Sequence, residues 1–309
     1  MLNFLYCFDK NYNIQAAVSI YSLLEKLDEK INLYIIHQNC NELNLPKKIK
    51  DHRNINSLNL YDFKNDNFIF PKVEGAHVSE ATYYRFFIEE HLPSSLDYIT
   101  YMDADIVTIN NPQQIIEDHI EELKKSNFLI SVSSELQSQN DSLKLVNSKY
   151  FNAGVMLIDY KKWSNKNMLK NLINITKKRK EDLVFWDQDV LNIYFDGEYL
   201  ELSKYLNYKL DSSPYQEKEK IVLNNEVRLI HYSGKFKPWS LKGIENNFSI
   251  FYQEIYRSLF SSKYHLADNW KVNTLKDFTK IIFFGRIFKI SYPLSLIAIV
   301  IKFLISKRK

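Results

Sequence analysis

Tyr98-Ile99-Thr100-Tyr101-Met102 is a β-prone apolar run that ends abruptly on Asp103-Ala104-Asp105. Strands buried on both faces of a parallel sheet read as such runs, without a polar alternation. In an extended chain residues i and i+2 point the same way, so both carboxylates are expected side by side where the strand ends. In open α/β sheets that carboxyl end is where ligands bind. Two like charges so placed raise one another's pKa unless a cation neutralises them. A hard divalent ion, Mn²⁺ or Mg²⁺, shared with a phosphorylated substrate is the economical partner. On its own Asp-x-Asp is common in solvated turns, so its meaning depends on the rest of the chain.

Similar runs lie near residues 2–8, 31–37, 57–61, 127–133, 153–159 and 227–231. Between them the apolar period lengthens. Ala17, Ile20, Leu24 and Leu27 recur at helical spacing, Ser79 is a plausible N-cap for 79–90, and Pro112 precedes a helical 115–125. Residues 166–180 and 187–194 are further candidates. Strands alternating with helices predict an α/β fold, a mainly parallel Rossmann-like sheet flanked by helices. Past Trp239 the strand signals fade and the chain reads as helical.

Composition narrows the chemistry. Of 309 residues, 45% are hydrophobic and 25% charged, which is globular rather than disordered. The six glycines never fall into G-x-G-x-x-G, a Walker A loop or G-x-S-x-G. Two cysteines, Cys7 and Cys40, make neither a disulfide framework nor a thiolate zinc site. The start of the chain has no basic n-region and meets Asp9 early, so it reads as a first strand and a cytoplasmic location is expected.

The net charge of +4 hides an asymmetry. Residues 276–309 hold eight basic side chains and one acid, about +7, leaving about −3 for residues 1–275. The basic residues are interleaved with Ile281-Ile282-Phe283-Phe284, Ile287-Phe288 and an uncharged run from Ile290 to Ile301. That run is shorter than the roughly 20 residues of a membrane span. Its pattern suits an interfacial helix on an anionic membrane, the inner face of the cell membrane, better than a nucleic-acid arm. Docking on the protein's own core is the other reading.

Four more segments group polar residues between apolar ones. Phe151-Asn152-Ala153-Gly154-Val155 opens a buried run with an amide and two small residues. Asp187-Gln188-Asp189-Val190-Leu191-Asn192 starts a helix. His231-Tyr232-Ser233-Gly234-Lys235-Phe236-Lys237-Pro238-Trp239 combines an imidazole, a glycine and two lysines, and Phe8-Asp9-Lys10-Asn11-Tyr12 follows the first strand. With His77-Val78-Ser79-Glu80-Ala81-Thr82-Tyr83-Tyr84-Arg85 and Tyr101-Met102-Asp103-Ala104-Asp105, their order resembles the family 8 glycosyltransferases, the group of lipooligosaccharide galactosyltransferases and glycogenin. The resemblance spans about residues 2–240. The basic tail is similar to the membrane-attachment segment of the bacterial members.

The resemblance implies a GT-A type fold and a role for each matching residue. Asp9, Asn11 and Tyr12 would hold the uridine, and Arg85 would contact the donor sugar or diphosphate. Asp103, Asp105 and His231 would bind Mn²⁺ (or Mg²⁺), with Ala104 between the two acids at the donor. Asn152, Ala153, Gly154, Asp187 and Gln188 would surround the transferred sugar, and Gly234 and Lys237 would contact the diphosphate. Lys10 departs from relatives that often carry a second acid there. The implied reaction is retaining transfer of a hexose from UDP-galactose or UDP-glucose to a hydroxyl of lipooligosaccharide, lipopolysaccharide or another surface glycan. Asp187 is the nearest candidate nucleophile, and a front-face route needs none. Two other classes fit parts of the sequence: a haloacid dehalogenase-like phosphotransferase, from Asp103-x-Asp105-x-Val107, and a non-catalytic sugar-nucleotide-binding membrane protein. The expected organisation is a transferase domain over 1–240, a helical extension over 241–275 and a basic amphipathic tail over 276–309.

Overall fold

The computed structural model describes residues 1–309 apart from 66–67, 72–78, 136–142, 148, 211–222, 224, 235, 268–271 and 307–309. His77, Val78, Lys235 and the last three basic residues of the tail therefore lie outside the described residues. The strands are, in chain order, β1 (Asn3–Phe8), β2 (Ile31–His37), β3 (Ile55–Asp62), β4 (Tyr98–Met102), β5 (Ile106–Thr108), β6 (Ile130–Glu135), β7 (Tyr150–Asp159), β8 (Leu200–Glu201), β9 (Tyr208–Lys209) and β10 (Leu229–His231). The helices are α1 (Asn13–Leu24), α2 (Lys47–Lys50), α3 (Ile88–His91), α4 (Gln113–Lys125), α5 (Tyr160–Asn165), α6 (Met168–Lys178), α7 (Trp186–Phe195), α8 (Leu241–Ile244), α9 (Ser249–Leu259), α10 (Val272–Phe283) and α11 (Pro293–Ser306).

Seven strands form one sheet in the order β3-β2-β1-β4-β7-β6-β8. The pairs β3–β2, β2–β1, β1–β4 and β6–β8 are parallel, and β7 runs against both neighbours. The expected mainly parallel, Rossmann-like sheet is therefore present, with one reversed strand inserted beside β4. Alternation along the strands splits the core between its faces. Leu5, Ile99 and Tyr101 pack with Tyr84, Trp163, Leu172 and Leu191, whereas Phe4, Tyr6 and Leu33 pack with Ala17, Ile20, Leu24, Ile116 and Leu123. Each large apolar side chain so buried contributes about 1.5–3 kcal/mol. β3 departs from the expected fully buried run, because as an edge strand it mixes half-buried with exposed residues and buries none fully.

A second sheet, β5-β10-β9, is made of two- and three-residue strands. The chain crosses from the large sheet to the small one within Asp103-Ala104-Asp105, which is a turn rather than the extended end expected from the sequence. Ser79 does cap the next segment, accepting from Ala81 N at 3.3 Å, yet Glu80–Phe87 is a 3₁₀ helix before α3 begins.

Beyond Trp239 the described chain is helical, as expected. Phe278, Ile281, Ile287, Ile290, Leu296 and Val300 pack with Leu241, Ile244 and Tyr264, and ion pairs join Lys242 to Asp277 (3.2 Å) and Arg286 to Glu245 (3.1 Å). The opposite side of the same segment is bare. Phe283 is 84% exposed and Phe288 81%, and Phe284 and Leu294 are also exposed. Among the described residues no helix is long and apolar enough to cross a membrane.

Candidate active site

The two sheets meet at a cluster of ligand-type atoms. Asp103, Asp105 and His231 each offer one atom, and these atoms all lie within 4.8 Å of one another. Asp103 follows β4, Asp105 precedes β5, and His231 closes β10, whose pairing with β5 sets His231 opposite Ile106. Asp103 Oδ1 accepts from Tyr101 Oη at 2.5 Å and Arg85 Nη2 at 3.0 Å. Asp105 Oδ2 accepts from Lys237 Nζ at 2.5 Å. Asp105 Oδ1 is buried and lies 3.2 Å from His231 Nε2 without an aligned hydrogen bond, and no other donor reaches it among the described residues. Burial alone would raise the Asp105 pKa, but Lys237 and His231 outweigh it and hold the carboxyl well below the usual carboxylate range. An anionic, partnerless oxygen between a second carboxylate and an imidazole is a donor set that fits Mn²⁺ or Mg²⁺.

β7 forms the neighbouring wall through an irregularity. Where β6 advances from Val132 to Ser133, the partner on β7 changes from Met156 to Asn152, so Ala153, Gly154 and Val155 bulge out of that ladder. Gly154 O accepts the N–H of Asp103 at 2.8 Å, which ties the bulge to the acidic turn. Asn152 Nδ2 and Ala153 N both donate to Gln188 Oε1, at 3.1 and 3.0 Å. Ala153 O accepts from Arg85 Nη1 at 2.5 Å.

Arg85 is buried where these groups meet, its guanidinium 4.2 Å from the centre of the Tyr101 ring. Besides Asp103 it pairs through Nε with Asp187 Oδ2 at 2.8 Å. Thr82 Oγ1 donates to the other oxygen of Asp187. Burial pushes the Asp187 carboxyl up to about 6, although Arg85 and Thr82 pull it down. Arg85 thus joins a metal-type ligand to the first turn of α7, and its three nitrogens are all engaged within the protein.

Of the remaining predicted residues, Tyr12 and Lys237 lie beside the acidic pair. Asp9 is buried after β1 and caps a turn, accepting from Asn11 N and Nδ2 at 2.9 and 3.1 Å. Asn11 is exposed and Tyr12 half-buried, edge-on to Trp239 at 6.1 Å. Ala104 is buried in the acidic turn. Lys237 Nζ also bonds Tyr232 O at 2.7 Å, and Asp105 raises its pKa against the opposing effect of burial. Gly234 sits exposed at φ +95°, a left-handed backbone that suits glycine. Tyr101, Thr82 and Asn207 also belong to the cluster and were not anticipated. Each looks like an ordinary core or turn residue in the sequence.

A model of the Glycosyl transferase family 8 matches residues 3–243. The chain belongs to glycosyltransferase family 8. It is an enzyme of that class with a GT-A type fold, and the two alternative classes are set aside. This glycosyltransferase is 27% identical over 306 residues to the lipopolysaccharide 1,2-glucosyltransferase of Escherichia coli K12, covering 93% of this chain and 84% of that one. It is 31% identical over 170 residues to the lipopolysaccharide 1,3-galactosyltransferase of Salmonella typhimurium, covering 52% of this chain and 49% of that one. The galactosyltransferase LgtC, solved with donor and acceptor sugar analogues, shares the fold with a TM-score of 0.68 at 19% identity, covering 84% of this chain and 96% of that one.

Proposed function

We propose that this family 8 enzyme is a metal-dependent retaining hexosyltransferase using UDP-galactose or UDP-glucose, with a membrane-anchored glycan such as lipooligosaccharide or lipopolysaccharide as acceptor. The observation that carries the reading is the convergence of Asp103, Asp105 and His231 beneath Lys237, against Asn152 and Gln188. The glucosyl- and galactosyltransferase relatives support the hexose and the acceptor class.

In this reading Asp103, Asp105 and His231 hold Mn²⁺ or Mg²⁺, and Asp9, Asn11 and Tyr12 hold the uridine. A bound divalent ion supplies charge stabilisation for the diphosphate leaving group. Lys237 and the backbone around Gly234 add to that stabilisation. Asn152, Gln188 and the bulged Ala153–Gly154 backbone orient the sugar. Thr82 donates to one oxygen of Asp187, and the other is held in an ion pair with Arg85 without an aligned hydrogen bond, which favours orientation over nucleophilic attack. On the front-face route the anomeric C–O bond to the diphosphate breaks and a bond to the acceptor oxygen forms on the same face. The acceptor proton passes to the departing phosphate oxygen.

The two-sided tail supports attachment to an anionic membrane on the cytoplasmic side: one face docks on α8, while Phe283, Phe284, Phe288 and Leu294 stand out beside Lys280 and Lys289. Residues 1–240 then act as the transferase unit, 241–275 brace it and 276–309 anchor it. A donor screen without acceptor tests the function, comparing UDP-galactose, UDP-glucose, UDP-N-acetylglucosamine and GDP-mannose with and without Mn²⁺. Mn²⁺-dependent hydrolysis of a UDP-hexose is expected. Equal turnover in a chelator would refute the metal assignment.

A further inference from the structure

His231 does not stand alone behind the acidic pair. Its Nδ1 lies 2.9 Å from Asn207 Oδ1, and Asn207 Nδ2 donates to Asn152 Oδ1 at 3.0 Å. Asn207 is buried between them, at the residue before β9. From Asn152 the bonds continue. Asn152 Nδ2 donates to Gln188 Oε1 (3.1 Å), Gln188 Nε2 to Tyr150 Oη (3.0 Å), and Tyr150 Oη to Asp189 Oδ1 (2.7 Å).

The direction of this chain follows from donor and acceptor accounting. An ionised carboxylate only accepts, and Asp189 Oδ2 already takes the N–H groups of Val184 and Phe185 at 2.6 and 2.7 Å. Tyr150 must therefore donate to Asp189 and accept from Gln188. Two backbone donors then fix the amides independently: Ala153 N points at Gln188 Oε1 and Gly154 N at Asn152 Oδ1, both at 3.0 Å. Asn152 Oδ1 can only accept, so Asn207 turns its NH₂ toward Asn152 and its oxygen toward His231. The imidazole satisfies that oxygen only with a proton on Nδ1, which leaves Nε2, 3.2 Å from Asp105 Oδ1, as the nitrogen free to ligate a cation.

We infer that Asn207 is a positioning residue that locks His231 in the Nδ1–H tautomer needed for a metal ligand, with the tautomer dictated through the sugar-site amides from Asp189. The inference rests on the proposed metal site. It goes further, because it ties the orientation of Asn152 and Gln188 to that of His231. Ligating histidines generally depend on such a partner at the other ring nitrogen, and its loss typically costs about 10–100-fold in metal affinity.

Two measurements on the full-length protein test this, and they fail separately. In the metal-free wild type, ¹⁵N spectra of histidine-labelled protein should show His231 protonated at Nδ1, with the resonance assigned by its loss in His231→Ala. A neutral ring protonated at Nε2 alone, with Nδ1 bare, would overturn the inference whether or not metal binds. Second, free Mn²⁺ followed by electron paramagnetic resonance should show at least about tenfold weaker binding in Asn207→Leu, together with loss of the single tautomer. Wild-type Mn²⁺ affinity in a folded Asn207→Leu variant would overturn it. A wild type that takes up no Mn²⁺ would instead refute the metal site itself, with the tautomer still read by the first measurement.

Discussion

A β-carbon placed on Gly154 would lie 2.3 Å from Cε1 and 2.8 Å from Nδ1 of His231. The imidazole therefore rests against the bare backbone of the β7 bulge, and glycine is needed there for room rather than for an unusual φ. Gly154→Ala must push the ring out of line with Asp103 and Asp105. The account expects at least about tenfold weaker Mn²⁺ binding by titration, with about 1–3 kcal/mol lost in stability from overpacking. Unchanged Mn²⁺ affinity in this variant would contradict the assignment of His231.

Asp187 sets a pH dependence in the metal-free protein. Its carboxyl sits at about 6 in the fold against an ordinary 3.8, burial being the cause. The folded state thus binds the proton more tightly, and the contribution is complete below pH 3.8 and is lost as pH rises through about 6. The loss is at most about 3 kcal/mol. Asp187→Asn does not titrate, so urea unfolding should show wild type losing ground to the variant between about pH 4 and 7. A constant difference over that range would place the carboxyl at an ordinary value.

Gly243 packs in α8 against the loop that carries Lys237. A β-carbon there would come 1.8 Å from the Lys237 carbonyl oxygen, a backbone atom with no freedom to swing away. Gly243→Ala is predicted to cost about 1–3 kcal/mol or more by thermal or urea unfolding, and to raise KM for the donor as Lys237 shifts. Wild-type stability would show that the loop yields without cost.

The bare face of the tail separates anchoring from packing. Replacing Phe283, Phe284 and Phe288 by serine removes exposed rings, so stability should change by no more than about 0.5 kcal/mol. Co-sedimentation with anionic phospholipid vesicles is expected to fall away, with turnover of a soluble acceptor preserved. Vesicle binding equal to wild type would assign the tail to packing alone.

How much of this was legible follows from the length of each signal. β4 announces itself because five apolar residues meet two acids, and α1, α4 and α6 because their apolar faces repeat over three turns. β5, β8 and β9 are too short to hold a pattern, although β5 and β10 deliver His231 to the acids. No periodicity links Asp103 to a histidine so distant in the chain; that pairing came through the resemblance. Arg85 was expected at the donor, and its burial between Asp103 and Asp187 depends on tertiary neighbours. Asn207 carries no local mark, lying in an unremarkable Tyr205-Leu206-Asn207-Tyr208. The sequence of the tail fits either membrane contact or core docking, and its alternating burial allows one segment to do both.

Isothermal titration of the full-length enzyme with UDP, in Mn²⁺ and then in a chelator, bears most directly on the metal-bridged diphosphate. The account predicts that Mn²⁺ tightens UDP binding by about tenfold or more, an ordinary coupling between two ligands, and that Asp105→Asn abolishes the gain. UDP affinity that is the same with and without the ion would contradict it.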